Sequence, residues 1–250
     1  MNAFILLDGE GRKHLVPQAE GPCKVEGLGV VDPTKLEEHV GGVARVAGKP
    51  FLVLRPSLRD RLGTLSRKAQ IIGPKDAAAI LFNCDVNAGD IIVEGGAGSG
   101  ALTMALAQTV SPGGRVITYE LRGDFAAVAK ENMARTAAFG NVELKVADIR
   151  SGIDERDADC VILDIPDPWE AVLHAWTSLR PCGHFASFSP NTDQVRQTHE
   201  ALRKLPFVEV RTVELIEREI EVHEGGVRPS FAALGHTGYL TFARKVLERL

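Results

Sequence analysis

The sequence contains no apolar run approaching the roughly 18 uninterrupted residues of a membrane-spanning helix. Met1 to Glu10 lacks a basic lead and meets Asp8 at once, so no secretory signal is expected there. Cysteine is scarce. Cys23, Cys84, Cys160 and Cys182 make no CxxC pair, which suits a reducing, cytoplasmic setting, and all four read as buried small hydrophobes. The seven histidines show no HExxH or CxxC…HxxxH spacing, so no metal site is expected. Positive charge is short as well: 29 Lys and Arg against 33 Asp and Glu leave a net −4, which taken alone argues against a general nucleic-acid binder. With 44% apolar and 25% charged residues, the chain can build a sizeable core and is neither disordered nor collagenous. Its 250 residues allow one large domain, or one domain with a small attachment.

The average charge hides an asymmetry. Residues 1–75 hold 12 basic against 8 acidic side chains, and residues 76–250 hold 17 against 25. Within 55–75, Arg55, Arg59, Arg61, Arg67, Lys68 and Lys75 are set against Asp60 alone. Two readings are open: a solvated basic linker, or an electrostatic footprint for a polyanion beside an acidic body.

The first 55 residues are short apolar runs cut by glycine and proline. Ala3–Leu7, the turn Asp8-Gly9-Glu10-Gly11 and Lys13–Val16 read as a hairpin, and further strands fit 27–31, 42–46 and 51–54. This spacing predicts a small β-barrel or sandwich. Pro74 suits the first turn of a helix over 75–84. From residue 90 the pattern alternates: strands at 91–93, 115–119, 142–146, 160–163 and 185–188, and helices at 101–110, 123–137, 168–179 and 192–204. That alternation predicts a doubly wound parallel sheet. Phe207–Ile220 and Gly238–Ala243 follow with no helix between them and are expected to form an antiparallel edge pair. The expected division is an all-β domain over 1–70 and an α/β domain over 71–250.

Strand one runs into Glu94-Gly95-Gly96-Ala97-Gly98-Ser99-Gly100 and then a helix. Gly96, Gly98 and Gly100 allow a tight turn and close approach of a ligand to the backbone. Gly96-x-Gly98-x-x-Ala101 satisfies a relaxed dinucleotide pattern. The stretch also resembles the first motif of class I S-adenosylmethionine-dependent methyltransferases, acidic-x-Gly-x-Gly-x-Gly. Glu120, ending strand two, could accept from ribose hydroxyls in either class. Asp148 ends strand three, at the sheet edge where open α/β sheets bind ligands, and could accept from an adenine amino group. Asp164 ends strand four in Leu163-Asp164-Ile165-Pro166-Asp167-Pro168-Trp169. Three strand-end carboxylates beside a glycine loop favour the methyl donor over a nicotinamide cofactor. Asp164 suits methylation at adenine N1, where the ring becomes cationic and a carboxylate beside N1 and N6 gains strength. Asp167 reads more simply as the cap of the following helix.

With these segments the chain resembles the tRNA (adenine-N1)-methyltransferases that modify T-loop position 58, and also 57 in archaeal members. The resemblance rests on Gln70–Asp76, Glu94–Leu102, Leu163–Trp169, Val227-Arg228-Pro229 and Gly235–Leu240, and spans nearly the whole chain. It implies a Rossmann-like class I methyltransferase fold with an antiparallel last strand, S-adenosylmethionine as cofactor, no metal, a homotetramer and tRNA as partner. It implies Asp164 as the catalytic residue. Donor contacts are expected from Gln70, Gly96, Gly98, Ser99, Gly100, Ala101, Leu102, Glu120, Leu121, Phe125, Asp148, Ile149 and Asp164. Arg59, Arg67, Arg228 and His236 are expected on the substrate side, although His236 is equally readable as a turn or core histidine. The chain departs from the family at Gly73, where members commonly carry a tyrosine or histidine able to stack on a flipped adenine. Two alternatives remain: a small-molecule or protein acceptor, and a non-catalytic donor-binding subunit.

Overall fold

The computed structural model describes residues 3–17, 19–68, 70–135, 139–232 and 234–249. The N-terminal strands are β1 (Phe4–Leu7), β2 (Lys13–Val16), β3 (Cys23–Val25), β4 (Gly29–Val31), β5 (Val43–Val46) and β6 (Lys49–Leu54). They form an antiparallel sheet in the order β2-β1-β6-β5 and a separate ribbon, β3-β4. Phe4, Leu6, Val16, Phe51 and Val53 from the sheet share a core with Val25 and Val31 from the ribbon. The period-two alternation of these short strands supplies one apolar face each, and the ribbon covers that face.

Helix α1 (Leu58–Gly63) follows, where no regular element is expected from the sequence. Ser57 and Asp60 form a reciprocal capping box that starts it. Leu58 and Leu65 pack against the core of the larger domain, so the crossover segment lies on that domain.

The larger domain runs α2 (Pro74–Asn83), β7 (Ile91–Gly95), α3 (Ala101–Thr109), β8 (Arg115–Glu120), α4 (Gly123–Ala134), β9 (Val142–Val146), β10 (Ala158–Leu163), α5 (Pro168–Ser178), β11 (Leu179–Ser189), α6 (Thr192–Arg203), β12 (Phe207–Glu214), β13 (Ile220–His223), β14 (Gly226–Pro229) and β15 (Tyr239–Lys245). The seven-stranded sheet has the order β12-β15-β11-β10-β7-β8-β9, and β15 runs antiparallel to both neighbours. Its central strands carry apolar residues on both faces, as a sheet covered on both sides requires: Ile92, Val93, Val161, Ile162 and Leu163 are fully buried. α3 is apolar all round because it lies in the core, with every residue from Ala101 to Ala107 buried.

The expected antiparallel pairing of the last strands is present, but β15 is inserted between β11 and β12, leaving β12 at the edge. The expected strand to Ile220 stops at Glu214, whose partner Tyr239 begins β15, so the ladder has no further residues to pair. Ile220 instead opens the β13–β14 hairpin, where a loop is expected from the sequence. β11 is longer than expected, α4 ends at Ala134, and the remainder of its expected span at 136–137 lies outside the described residues. Of the cysteines, Cys84 and Cys160 are buried, but Cys23 is half-buried and Cys182 is exposed, at a left-handed position (φ 64°) within β11.

Candidate active site

Strand order decides where the site lies. β10, β7, β8 and β9 are adjacent and parallel, so their carboxyl ends meet at one edge. A cleft of about 360 Å³ opens there, lined by Gln70, Gly96, Gly98, Glu120, Leu121, Asp148, Ile149 and Asp164, together with Tyr119, Arg122, Ala147, Arg150, Ile165 and Pro166. Eight of the residues expected to contact the donor thus share one wall. Ser99, Gly100, Ala101 and Leu102 do not line it; they form the buried start of α3 behind the loop. Phe125 is also off the wall, buried on α4 beneath the Arg122 guanidinium, 3.4 Å from its ring centre.

The glycine loop is a close-packed cradle. Gly96 has φ +91°, and a Cβ there would fall 2.0 Å from the Asp164 carbonyl oxygen. The Gly96 amide donates to the Tyr119 carbonyl at 2.8 Å, and the Asp164 amide donates to the Gly95 carbonyl at 2.8 Å. The loop is thereby fastened to both neighbouring strands. Gly100 takes φ +84° at the start of α3.

Four carboxylates surround this cradle. Glu94 on β7 is fully buried; its Oε2 accepts from Thr103 at 2.6 Å, while Oε1 has no partner. Burial pushes its pKa up to about 7. Glu120 accepts from the Gly98 amide at 2.9 Å and the Arg122 amide at 3.0 Å, which ties the end of β8 to the loop. The Asp164 carboxyl makes no hydrogen bond among the described residues, and burial, then the charge of Glu120, raise its pKa to about 7. Asp148 is opposite in character: the Arg150 guanidinium holds it below the usual carboxylate range. The cradle and the row of cleft-lining carboxylates Glu120, Asp148 and Asp164 fit a ligand combining an amino acid, a ribose and an adenine.

Three features have no counterpart among the sequence-based expectations. Arg150 binds Asp148 and also donates to Asp167 at 3.1 Å, so Asp167 occupies the cap position of α5 without capping it with its side chain. Asn132, buried on α4, pairs with both backbone groups of Ser66 at 3.0 Å and donates to the Ser99 carbonyl at 2.9 Å, joining crossover to loop. Lys75, Asp76 and Thr237 form a bonded triad. The Arg150–Asp148 and Lys75–Asp76 pairs are local, but sequence spacing carries no signal for the links to Asp167, Ser66, Ser99 and Thr237.

The substrate-side residues are dispersed. Most of the basic 55–75 segment is already paired: Arg55 with Glu37, Arg61 with Gln108, Lys68 with Asp124 and Lys75 with Asp76. Arg59 reaches Glu219 only at 3.8 Å with both side chains exposed, and Arg67 donates to the Leu62 carbonyl. Arg59 and Arg67 line a hollow of about 510 Å³ with Lys13 and Asp60. Arg228 lies on the β13–β14 hairpin, 2.6 Å from Glu221 and stacked on Phe231 at 4.5 Å. His236 has both ring nitrogens engaged, by Glu214 at 2.5 Å and the Pro190 carbonyl at 3.0 Å, and Glu214 raises its pKa. A Cβ at Gly73 would meet nothing within 4 Å, so the missing family side chain leaves open space. Among the described residues no group of His, Cys, Asp and Glu side chains is arranged to hold a metal ion.

A seven-stranded sheet with one reversed strand, a glycine cradle after its first strand and acidic residues on the next strand ends define a Rossmann-like class I methyltransferase. Residues 52–228 match the family described as the tRNA methyltransferase complex GCD14 subunit, and the chain belongs to that family. It is 36% identical over 272 aligned positions to the Methanocaldococcus jannaschii tRNA (adenine(57)-N(1)/adenine(58)-N(1))-methyltransferase TrmI, covering 98% of this chain and 96% of that one. Among solved structures, a Thermotoga maritima protein described as a SAM-dependent O-methyltransferase superposes with TM-score 0.87 at 34% identity, over 100% of this chain and 94% of the other. The Aquifex aeolicus tRNA (m1A58) methyltransferase TrmI superposes with TM-score 0.78 at 25% identity, over 98% and 97%.

Proposed function

We propose that the protein transfers a methyl group from S-adenosylmethionine to N1 of adenine in the T-loop of tRNA, at position 58, with position 57 as a second acceptor to be tested. The observation that carries this reading is the Asp164 carboxyl, unpaired at the cleft floor beside Gly96 and inside Asp-Ile-Pro-Asp-Pro-Trp. Gly96 and Gly98 would receive the donor's methionine portion, Glu120 its ribose hydroxyls and Asp148 its adenine amino group. When bound, S-adenosylmethionine supplies an electrophilic methyl group on a sulfonium centre. Adenine N1 presents a lone pair and needs no base to attack. Asp164 accepts from N6–H of the acceptor and stabilises the positive charge that the ring gains, so its contribution grows toward the transition state. The cleft walls align acceptor and donor and exclude water.

We assign residues 1–70 to substrate binding or oligomer contacts, with Arg59 and Arg67, which line one hollow, as phosphate contacts. The family resemblance implies a homotetramer, and the exposed apolar side chains Ile220, Val222 and Val227 on the hairpin that carries Arg228 offer a surface for contact between copies. A cytoplasmic location accords with a tRNA substrate; no helix among the described residues is long and apolar enough to cross a membrane.

The test is incubation with labelled donor and unmodified tRNA, followed by nucleoside mapping. Formation of 1-methyladenosine is expected at position 58, and Asp164→Ala should lower kcat by about 10²–10³ while leaving the fold intact. Full activity in that variant sinks the assignment. The Thermotoga neighbour is described as an O-methyltransferase, which keeps a second reading in view, a small-molecule or protein acceptor; donor turnover that no tRNA stimulates would support it.

A further inference from the structure

Arg150 touches both halves of the cleft. Its Nε and Nη2 donate to the two carboxylate oxygens of Asp148 at 3.0 and 2.9 Å, the forked arrangement in which guanidinium binds carboxylate most specifically. The Arg150 amide also donates to Asp148 Oδ1 at 2.9 Å. On the other side Nη1 donates to Asp167 Oδ2 at 3.1 Å and to Glu170 Oε2 at 3.4 Å. Asp148 follows β9, and Asp167 closes the Asp164–Asp167 segment and begins α5. One planar cation therefore spans the strand end assigned to the donor's adenine and the segment that carries Asp164.

Stability does not account for this arrangement. Arg150, Asp148 and Asp167 are 31%, 27% and 36% exposed, and ion pairs so hydrated add little to folding free energy. Geometry does. A carboxylate offers about four acceptor positions; the fork takes one on each oxygen and fixes the plane of the group, and the Arg150 amide takes a second on Oδ1. The position that remains, on Oδ2, has a fixed direction, and the 6-amino group of an adenine is a donor that suits it. A lysine could match the charge but not the plane, nor could its single nitrogen hold both aspartates in this geometry.

We propose that Arg150 is a positioning residue that fixes Asp148 for the 6-amino group of the donor's adenine and couples donor binding to the placement of the Asp164–Asp167 segment. This rests on the reading of Asp148 given above. Two consequences set it apart from a purely structural arginine: selectivity for the amino group depends on Arg150, and Asp167, which need not touch the donor, influences donor affinity through it.

The experiment is calorimetric titration of S-adenosylhomocysteine and its 6-oxo (inosine) analogue into the wild-type protein, Arg150→Ala, Arg150→Lys, Asp167→Asn and the Arg150→Ala/Asp167→Asn double variant, without RNA. Arg150→Ala should weaken S-adenosylhomocysteine about ten-fold and erase most of the preference over the 6-oxo form. Arg150→Lys should recover part of the affinity but not the wild-type kcat on tRNA. Asp167→Asn should weaken donor binding a few-fold, and that effect should vanish in the Arg150→Ala background, the mark of coupled sites. Unchanged affinity and selectivity in Arg150→Ala, or strictly additive effects of the two substitutions, would overturn the proposal. Failure of the wild-type protein to bind S-adenosylhomocysteine would instead overturn the methyl-donor reading itself, so the two failures are distinguishable.

Discussion

Thr237 donates its hydroxyl to the buried carboxylate of Asp76 at 2.9 Å, across 161 positions of sequence. Lys75 Nζ completes the triangle, donating to Asp76 at 2.8 Å and to Thr237 at 2.7 Å. The first turn of α2 is thereby bolted to the segment preceding β15, beneath the open space at Gly73. Thr237→Val removes one donor from a carboxylate with no access to water. We expect a loss of about 1–3 kcal/mol in urea-induced unfolding, with Thr237→Ser close to wild type. Equal stability of Val and wild type would show that Lys75 alone suffices.

Asp164 must be ionised to stabilise a cationic ring, and in the free protein its pKa lies at about 7. Activity limited by this group should rise with pH below 7 and level off above it, seen in kcat/KM, which reports the free enzyme. Glu94 sits at about the same value, so the variants must separate the two. Asp164→Asn should lose the ascending limb along with most turnover, whereas Glu94→Gln should keep the limb.

Glu94 also makes a stability prediction. Its folded-state pKa is raised from 4.5 to about 7, so the native protein holds a proton that the unfolded chain has released. Stability from this group is therefore fully present below 4.5 and declines as pH rises to about 7, the reverse of a salt-bridged carboxylate. Glu94→Gln keeps the Thr103 hydrogen bond and removes the titration. Thermal unfolding should show it more stable than wild type at pH 8 and little different at pH 4. Asp164 contributes a slope of the same sign, so the pH dependence is reduced rather than abolished.

Charge substitution distinguishes loosely held from committed cations in the crossover segment. Arg59→Glu and Arg67→Glu should each weaken tRNA binding and reduce the slope of log affinity against log salt by about 1. Arg55 and Lys68 are held by Glu37 and Asp124, so neutralising them should leave that slope nearly unchanged. The comparison is read by filter binding across a salt series. Equal slopes for all four variants would make the segment an undifferentiated basic surface.

Much of the site is legible in the amino-acid sequence because its chemistry is local. A βα turn that needs φ > 0 writes itself as Gly96-x-Gly98-x-Gly100, and a carboxylate stands at or just past the end of a strand pattern at Glu120, Asp148 and Asp164. The β13–β14 hairpin carries a fainter signal: alternating Ile220 and Val222, then Gly225-Gly226, then Val227. Its strands are exposed, so no apolar face marks them as strongly as those of the core. The basic segment misleads for a related reason. Glu37, Asp124 and Gln108, which engage its cations, come from distant positions, and counting neighbours in sequence cannot find them.

By itself the sequence determined most of the core elements, the alternation that produces a parallel sheet, and the glycine loop with its strand-end carboxylates, because backbone geometry and side-chain period act over a few residues. Only the tertiary structure decided that β15 lies inside the sheet, that Ser99 to Leu102 sit behind the cradle rather than on its wall, and which cations are loosely held. It alone brought Arg150 between Asp148 and Asp167. Most of these are contacts between segments far apart in the chain, which local backbone geometry and side-chain period do not encode; they form because packing both faces of one sheet fixes where each strand end lies.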